Sequence, residues 1–181
     1  MQPTLTSSRL ILRPFTLLDA PLVRALAGDA RIADTTTTIP HPYPEGAAEA
    51  WIAGHAASYA QAREATFAIQ HQTTGQLIGA VSLLDIQLKH RRAELGYWTG
   101  APFWGCGYCT EAVQSLIHHA PEAFGVTRIV GRCFARNLAS ARVMTKAGLQ
   151  PEGLLRKHIQ KNGVYEDVML FGLVLPGRGE A

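Results

Sequence analysis

The sequence predicts an α+β (mixed α/β) domain, and three observations carry that prediction. Apolar residues recur at two spacings, alternating in some segments and at helical intervals in others. Turn residues separate these segments into the order β-α-α-β-β-β-α-β-α-β-β. The composition, 47% hydrophobic against 17% charged over 181 residues, suits one well-filled core over residues 1–181 and not a disordered chain.

Residues 5–13 end as a strand, with Leu10 and Leu12 alternating against Arg9, Ile11 and Arg13 until Pro14 limits it. Asp19 is placed to cap a helix over 20–27, whose first turn holds Pro21. Residues 34–44 read as an irregular loop, because Pro40, Pro42 and Pro44 suit neither helix nor ladder. A second helix is expected over 45–63, with Ala48, Trp51, Ile52, Ala56 and Tyr59 at helical spacing. Segments 66–71 and 77–87 form a hairpin about Thr73, Thr74 and Gly75, and 91–99 is a further strand. A helix over 107–120 presents Ala112, Val113, Leu116, Ile117 and Ala120 on one face, and Pro121 is expected to end or kink it. Residues 127–135 make a strand, and a helix over 138–147 runs from the cap Asn137 to Gly148. The last two strands turn at Asn162-Gly163.

Composition also excludes classes of function. The net charge of +3 is mild, and no Lys/Arg run forms a basic tract, so nucleic acid is not an expected partner. No apolar run approaches the roughly 18 residues of a membrane span, and the N-terminal segment lacks a signal-peptide core, so a cytoplasmic protein without membrane partners is expected. Three cysteines, Cys106, Cys109 and Cys133, are too few and odd in number for a disulfide framework.

The chemistry concentrates in "PFWGCGYCTEAV", residues 102–113. Three readings compete. A redox Cys-x-x-Cys belongs at a helix start, as here, but in thioredoxin-like motifs a Trp directly precedes the first Cys, whereas Gly105 intervenes. A structural zinc needs four ligands; the motif supplies two, and adjacent His118 and His119 point apart on a helix, so no metal is expected. In the third reading Gly105 and Gly107 let the backbone turn and bare its N–H groups to a phosphate at a helix N-terminus. A plain strand-to-helix turn is the alternative to all three.

The surroundings of this loop add a resemblance. "AELGYWTGAPFWGCGYCTEAVQSLI" and "RIVGRCFARNLASARVMTKAGLQPEG" resemble the GCN5-related N-acetyltransferase (GNAT) superfamily, in particular the branch of ribosomal-protein N-terminal acetyltransferases. "RLILRPFTLLDAP" and "NGVYEDVMLFGLV" are similar to the same branch, so the likeness spans nearly the whole chain. It implies a mostly antiparallel sheet, flanked by helices and splayed at an acetyl-CoA site. The family loop pattern is Gln/Arg-x-x-Gly-x-Gly/Ala; Trp104 replaces its first residue, Gly107 fits, and Cys109 stands where Gly or Ala is usual. The resemblance therefore implies that backbone N–H groups of Gly105, Cys106, Gly107, Tyr108, Cys109 and Thr110, with Trp104 beside them, hold the pyrophosphate. It implies that Tyr97, Trp98 and Thr99 pair with the pantetheine arm as an added strand would. The thiols are then incidental to binding, and whether they react at a helix start stays open.

The same resemblance implies acetyl transfer to a primary amine, a protein N-terminus or a small molecule, by direct attack. Glu94 matches a strand carboxylate used as general base; its plainer role is a surface ion pair with Arg91 or Arg92. Asn137 and Ser140 match an Asn-x-x-Ser pattern, Asn137 toward pantetheine and Ser140 near the sulfur as proton donor; helix capping and small-residue packing are their plainer roles. The chain departs from the family at two positions. Met144 stands where many members carry a tyrosine acid, and Ile159 where the ribosomal branch carries a glutamate. His41, Tyr43 and Trp51 are candidate acceptor-lining residues, with Trp51 also a candidate core residue. The oligomeric state stays open, a homodimer included. The alternative from another class is an acyl-CoA-binding sensor or scaffold without chemistry.

Overall fold

The computed structural model describes residues 1–176. The N-terminal segment is a small hairpin, β1 (Leu5–Thr6) and β2 (Leu10–Arg13), with Leu5 opposite Leu12. Leu10 and Leu12 are fully buried while Ile11 and Arg13 are half-buried, as alternation requires. The helix α1 (Ala20–Ala27) starts and ends where its signals place it. Its expected cap does something else, however. The Asp19 carboxylate closes the preceding turn on the Thr16 N–H at 2.9 Å and takes both Arg13 nitrogens at 2.7 and 2.8 Å. A bidentate guanidinium is the stronger competitor for a buried carboxylate.

Two helical expectations need correction. Residues 34–44 are not loop throughout, because a six-residue helix, α2 (Ala30–Thr35), reaches into them, capped by Asp29 accepting from the Arg31 N–H at 2.9 Å. One and a half turns are too short for periodicity to reveal. The helix expected over 45–63 is two, α3 (Ala47–Ala53) and α4 (His55–Ala60), broken at Gly54. Glycine costs about 1 kcal/mol against alanine inside a helix, and the break brings the Trp51 and His55 rings to 4.5 Å.

The strands β3 (Ala65–His71), β4 (Leu77–Gln87) and β5 (Arg92–Thr99) follow as expected. Next come α5 (Tyr108–Phe124), β6 (Arg128–Phe134), α6 (Leu138–Lys146), β7 (Gln150–Lys161) and β8 (Val164–Val174). Pro121 does not end α5, which runs on to Phe124 and stops at Gly125. Phe124 packs on Tyr59 at 5.5 Å and anchors that last turn. The β7–β8 turn has positive φ at both Asn162 and Gly163, the conformation this dipeptide favours.

All strands join one sheet in the order β1-β2-β3-β4-β5-β6-β8-β7. Every neighbouring pair is antiparallel except β5–β6, which are parallel and joined through α5. The α5 face predicted from periodicity packs on one side of the sheet with Leu10, Phe67, Ile69 and Val81. The α1 and α3 residues Val23, Ala27, Ala48 and Ile52 pack with Ala68 and Ala80 of the alternating set. Strands β3 and β4 are thus covered on both faces, which is why they read as nearly continuous apolar runs. Among the described residues no helix is long and apolar enough to cross a membrane.

Candidate active site

The parallel pair β5–β6 is the origin of the site. Its pairing runs from Arg92–Arg128 to Leu95–Gly131 and stops there. Beyond that point β5 residues 96–99 stay paired only to β4, and β6 residues 132–134 only to β8. The two strands splay, leaving one backbone edge of each without a strand partner, and unpaired amides need a partner from elsewhere.

The loop after β5 closes one end of this opening. Gly105 and Gly107 have φ of +76° and +80°, a region that side-chain-bearing residues rarely enter. Their left-handed turns deliver the chain to α5, where the Glu111 N–H, bonded to Gly107 O at 3.1 Å, is the first to find an intrahelical acceptor. Among the described residues no acceptor occurs for the N–H groups of residues 105–110. A 17-residue helix adds its dipole at the same place, so the arrangement suits a diphosphate.

Side chains hold the loop in position. Trp104 Nε1 donates to Thr99 O at 2.7 Å and ties the loop to the end of β5. Arg9 reaches over from the N-terminal hairpin, donating to Glu111 Oε2 at 2.8 Å and to Cys106 O at 3.1 Å, with its guanidinium 4.6 Å above the Tyr108 ring. Burial opposes the charge on Glu111, but bonds from Arg9 and Ser7 outweigh it and hold the carboxyl below its usual range. Arg9 thereby neutralises the one carboxylate in the first turn of α5. Nothing local in the sequence marks Arg9 for this role, because its partners lie about a hundred residues away.

The cysteines separate in fate. Both are free thiols. Cys106 is exposed, its sulfur 3.6 Å from Trp104 O. The Cys109 sulfur is sunk against the core, and burial pushes its thiol up to about 12. The apolar packing that seats Cys109 opposes its ionisation, and of the two sulfurs only that of Cys106 belongs to an exposed residue. No cluster of three or more His, Cys, Asp or Glu able to hold a metal occurs among the described residues.

A cavity of about 890 Å³ runs through the splay. Glu94, Tyr97, Trp98, Thr99, Trp104, Gly105, Gly107, Tyr108, Cys109, Thr110, Asn137 and Ser140 line it, as do Tyr43 and Trp51. Cys106 and His41 do not. His41 instead donates from Nδ1 to Gly28 O at 3.0 Å. Trp51 is 36% exposed and stands at the cavity edge against Phe15 and His55, so it is both lining and packing residue.

Glu94 makes an ion pair, but not with Arg91 or Arg92. Arg132 of β6 donates to both of its oxygens, the Nε bond being 2.9 Å. The two sit side by side because the β5–β6 register sets Glu94 opposite Val130, a neighbour no sequence spacing reveals. Asn137 caps α6 by accepting from the Ser140 N–H at 3.1 Å, and its Nδ2 donates to Thr35 O at 3.3 Å. Ser140 Oγ lies 2.7 Å from the Tyr97 hydroxyl. Met144 faces away from the cavity; it is 1% exposed, and its sulfur would lie 2.5 Å from a Cβ at Gly131. Ile159 pairs across the hairpin with Glu166, whose carboxylate is taken by Arg136 at 2.9 Å.

Arg136 and Lys161 fix the far wall. Arg136 also donates to the Asp34 carboxylate at 2.8 Å and to Asp34 O at 2.8 Å, and Lys161 Nζ donates to Thr36 O and to Ile39 O. Segment 34–39 is thus strapped to the β6–α6 junction and the β7–β8 hairpin.

Comparison with known proteins agrees with this geometry. Residues 9–150 match a family described as the acetyltransferase (GNAT) domain. The chain is 32% identical over 178 residues to the uncharacterised N-acetyltransferase YoaA of Bacillus subtilis, covering 97% of this chain and 99% of that one. It is 33% identical over 100 residues to the ribosomal-protein-serine acetyltransferase of Escherichia coli, over 55% of this chain and 56% of that one. Among solved structures, the RimL ribosomal L7/L12 α-N-protein acetyltransferase in complex with coenzyme A superposes with a TM-score of 0.88, over 96% of this chain and 98% of that one. At 21% identity that likeness speaks for the fold.

Proposed function

The chain belongs to the GNAT acetyltransferase family and is an acetyl-CoA-dependent N-acetyltransferase, and on that premise we propose that its acceptor is a primary amine, of a protein N-terminus or a small molecule, attacked directly. The observation that carries the reading of the site is the splay: two unpaired strand edges lead from a loop of bared N–H groups into one cavity. Acetyl-CoA supplies the activated thioester. The N–H groups of residues 105–110 receive the pyrophosphate, and the free edge at Tyr97, Trp98 and Thr99 receives the amide-bearing arm. That orientation brings the thioester toward Ser140 and Asn137 at the start of α6.

Three tasks then fall to this chain's own groups. The acceptor must lose its proton, the carbonyl oxygen must be stabilised, and the sulfur must leave protonated. Ser140 is the hydroxyl placed to serve the sulfur. Glu94 lines the cavity, as does the carboxylate of Glu64; Glu94, on the splayed strand, takes the amine proton through water in competition with Arg132. The acceptor enters from the side walled by Tyr43, Trp51 and segment 34–39. The sensor alternative finds no support, because the relatives are named as N-acetyltransferases.

The test is turnover of acetyl-CoA against a panel of N-terminal peptides and small amines. Turnover with peptides alone identifies a protein acceptor, with small amines alone a metabolite acceptor. Glu94→Gln is expected to lower kcat/KM about 100-fold or more; an unchanged value removes Glu94 from the mechanism.

A further inference from the structure

Tyr97 stands where β5 leaves β6. It pairs with Val81 on the β4 side and has no partner on the β6 side, where pairing ends at Leu95. Its ring therefore spans the gap between the splayed strands. The hydroxyl reaches the first turn of α6, 2.7 Å from Ser140 Oγ and 3.1 Å from Ser140 O. Both residues line the cavity. The contact to the serine hydroxyl is the shorter of the two and falls at the usual length of a good O–H···O bond. The Ser140 N–H is held separately by Asn137, so the turn that presents the serine is fixed at both ends.

We propose that Tyr97 is a positioning residue for Ser140. Its phenol donates to Ser140 Oγ, and the single serine hydrogen is thereby turned into the cavity, toward the place where the departing sulfur gathers charge. The inference rests on the reading of Ser140 as the sulfur's proton donor. The phenol has one hydrogen and two acceptors within reach, Ser140 O at 3.1 Å and Ser140 Oγ at 2.7 Å, and the proposal gives it to the nearer one. Burial, with the Cys109 and Cys133 thiols beside it, pushes the Tyr97 phenol well above its ordinary range, so it stays protonated and remains a donor. Met144, at the position of the tyrosine acid common in the family, is sealed in the core and offers no proton, so the proton falls to Ser140 on the same helix.

The step balances within the reaction. The carbon–sulfur bond breaks with its electron pair on sulfur, and Ser140 passes its hydroxyl proton to that sulfur. The serine oxygen is reprotonated through solvent by the proton that the acceptor nitrogen releases. Tyr97 transfers nothing; the hydrogen bond it donates stabilises the passing charge on Ser140 Oγ.

A double-mutant cycle in the intact chain tests this, using Tyr97→Phe, Ser140→Ala and the double variant. Phenylalanine fills the same space, and calorimetric acetyl-CoA binding together with the thermal midpoint verifies that the cavity is intact. Tyr97→Phe is expected to lower kcat about 10–100-fold, the scale seen when a partner that orients a metal ligand is lost, with the acetyl-CoA KM near wild type. In the Ser140→Ala background it is expected to lower kcat no further. An equal drop in both backgrounds, or a change confined to KM and thermal midpoint, overturns the proposal. If Ser140→Ala is slow but Tyr97→Phe is not, only this inference fails. If Ser140→Ala turns over at the wild-type rate, the reading of Ser140 fails, and this inference with it.

Discussion

At the residue scale, Gly107 sits in a backbone conformation that side-chain-bearing residues disfavour. Its φ of +80° would strain any side-chain-bearing residue by about 1–2 kcal/mol, although the nearest atom to an added Cβ is only the Arg9 guanidinium at 3.5 Å. The constraint is thus conformational and not steric. Gly107→Val is expected to weaken acetyl-CoA binding at least about 10-fold by turning the bared N–H groups away, a loss of about 1.4 kcal/mol. Cys106→Ala with Cys109→Ala is expected to leave binding within about 2-fold. Isothermal titration with acetyl-CoA compares the two, and a larger loss in the cysteine variant would sink the backbone account of this loop. The glycine turn was legible in the sequence because two glycines directly precede a helical pattern, and the segments around it, not the pair alone, pointed to a phosphate loop. Arg9 and Arg132 were not, because their roles depend on partners brought close only by folding.

At the element scale, the cavity wall around segment 34–39, on the side proposed for the acceptor, is an assembly of pieces that are weak alone. The six-residue α2 cannot be stable by itself, since isolated helices shorter than about 12 residues are marginal. It persists against Asp29 at one end and the Arg136–Asp34 pair near the other. Arg136 also holds Glu166, so one guanidinium joins α2, the start of α6 and β8. Arg136→Ala is expected to loosen segment 34–39 and raise the acceptor KM several-fold, with the acetyl-CoA KM near wild type. Steady-state kinetics separate the two constants, and parallel changes in both would show that the strap serves the whole fold and not the acceptor side. The long elements were placed correctly by periodicity. The misreadings fell on short or interrupted ones, α2, the break at Gly54 and the last turn of α5, where tertiary contacts outweigh local propensity.

At the scale of the whole molecule, stability should carry an acid limb. His55 is 8% exposed between Phe15 and Trp51, and neither ring nitrogen has a partner among the described residues. Burial lowers it from 6.5 to about 4. Above pH 6.5 the ring is neutral folded or unfolded and stability is unaffected. As pH falls from 6.5 toward 4, the unfolded chain gains a proton that the folded one resists, and stability is lost, on the order of 3 kcal/mol in full. The thermal midpoint should therefore fall more steeply over that range for the wild type than for His55→Leu. Parallel midpoint curves for the two proteins would discard His55 as the cause.

The amino-acid sequence by itself determined the long elements and their order, the buried face of α5 and the glycine turn before it. Each depends on spacing within a short stretch, where backbone geometry translates residue period directly into one face or one turn. Only the tertiary structure decided the chemistry of the cavity. The parallel pairing that ends at Leu95, the Glu94–Arg132 pair and the Tyr97–Ser140 contact join residues 36 to 43 positions apart. Such distant groups become neighbours only when the sheet register and the seating of α6 are set by burial of the common core.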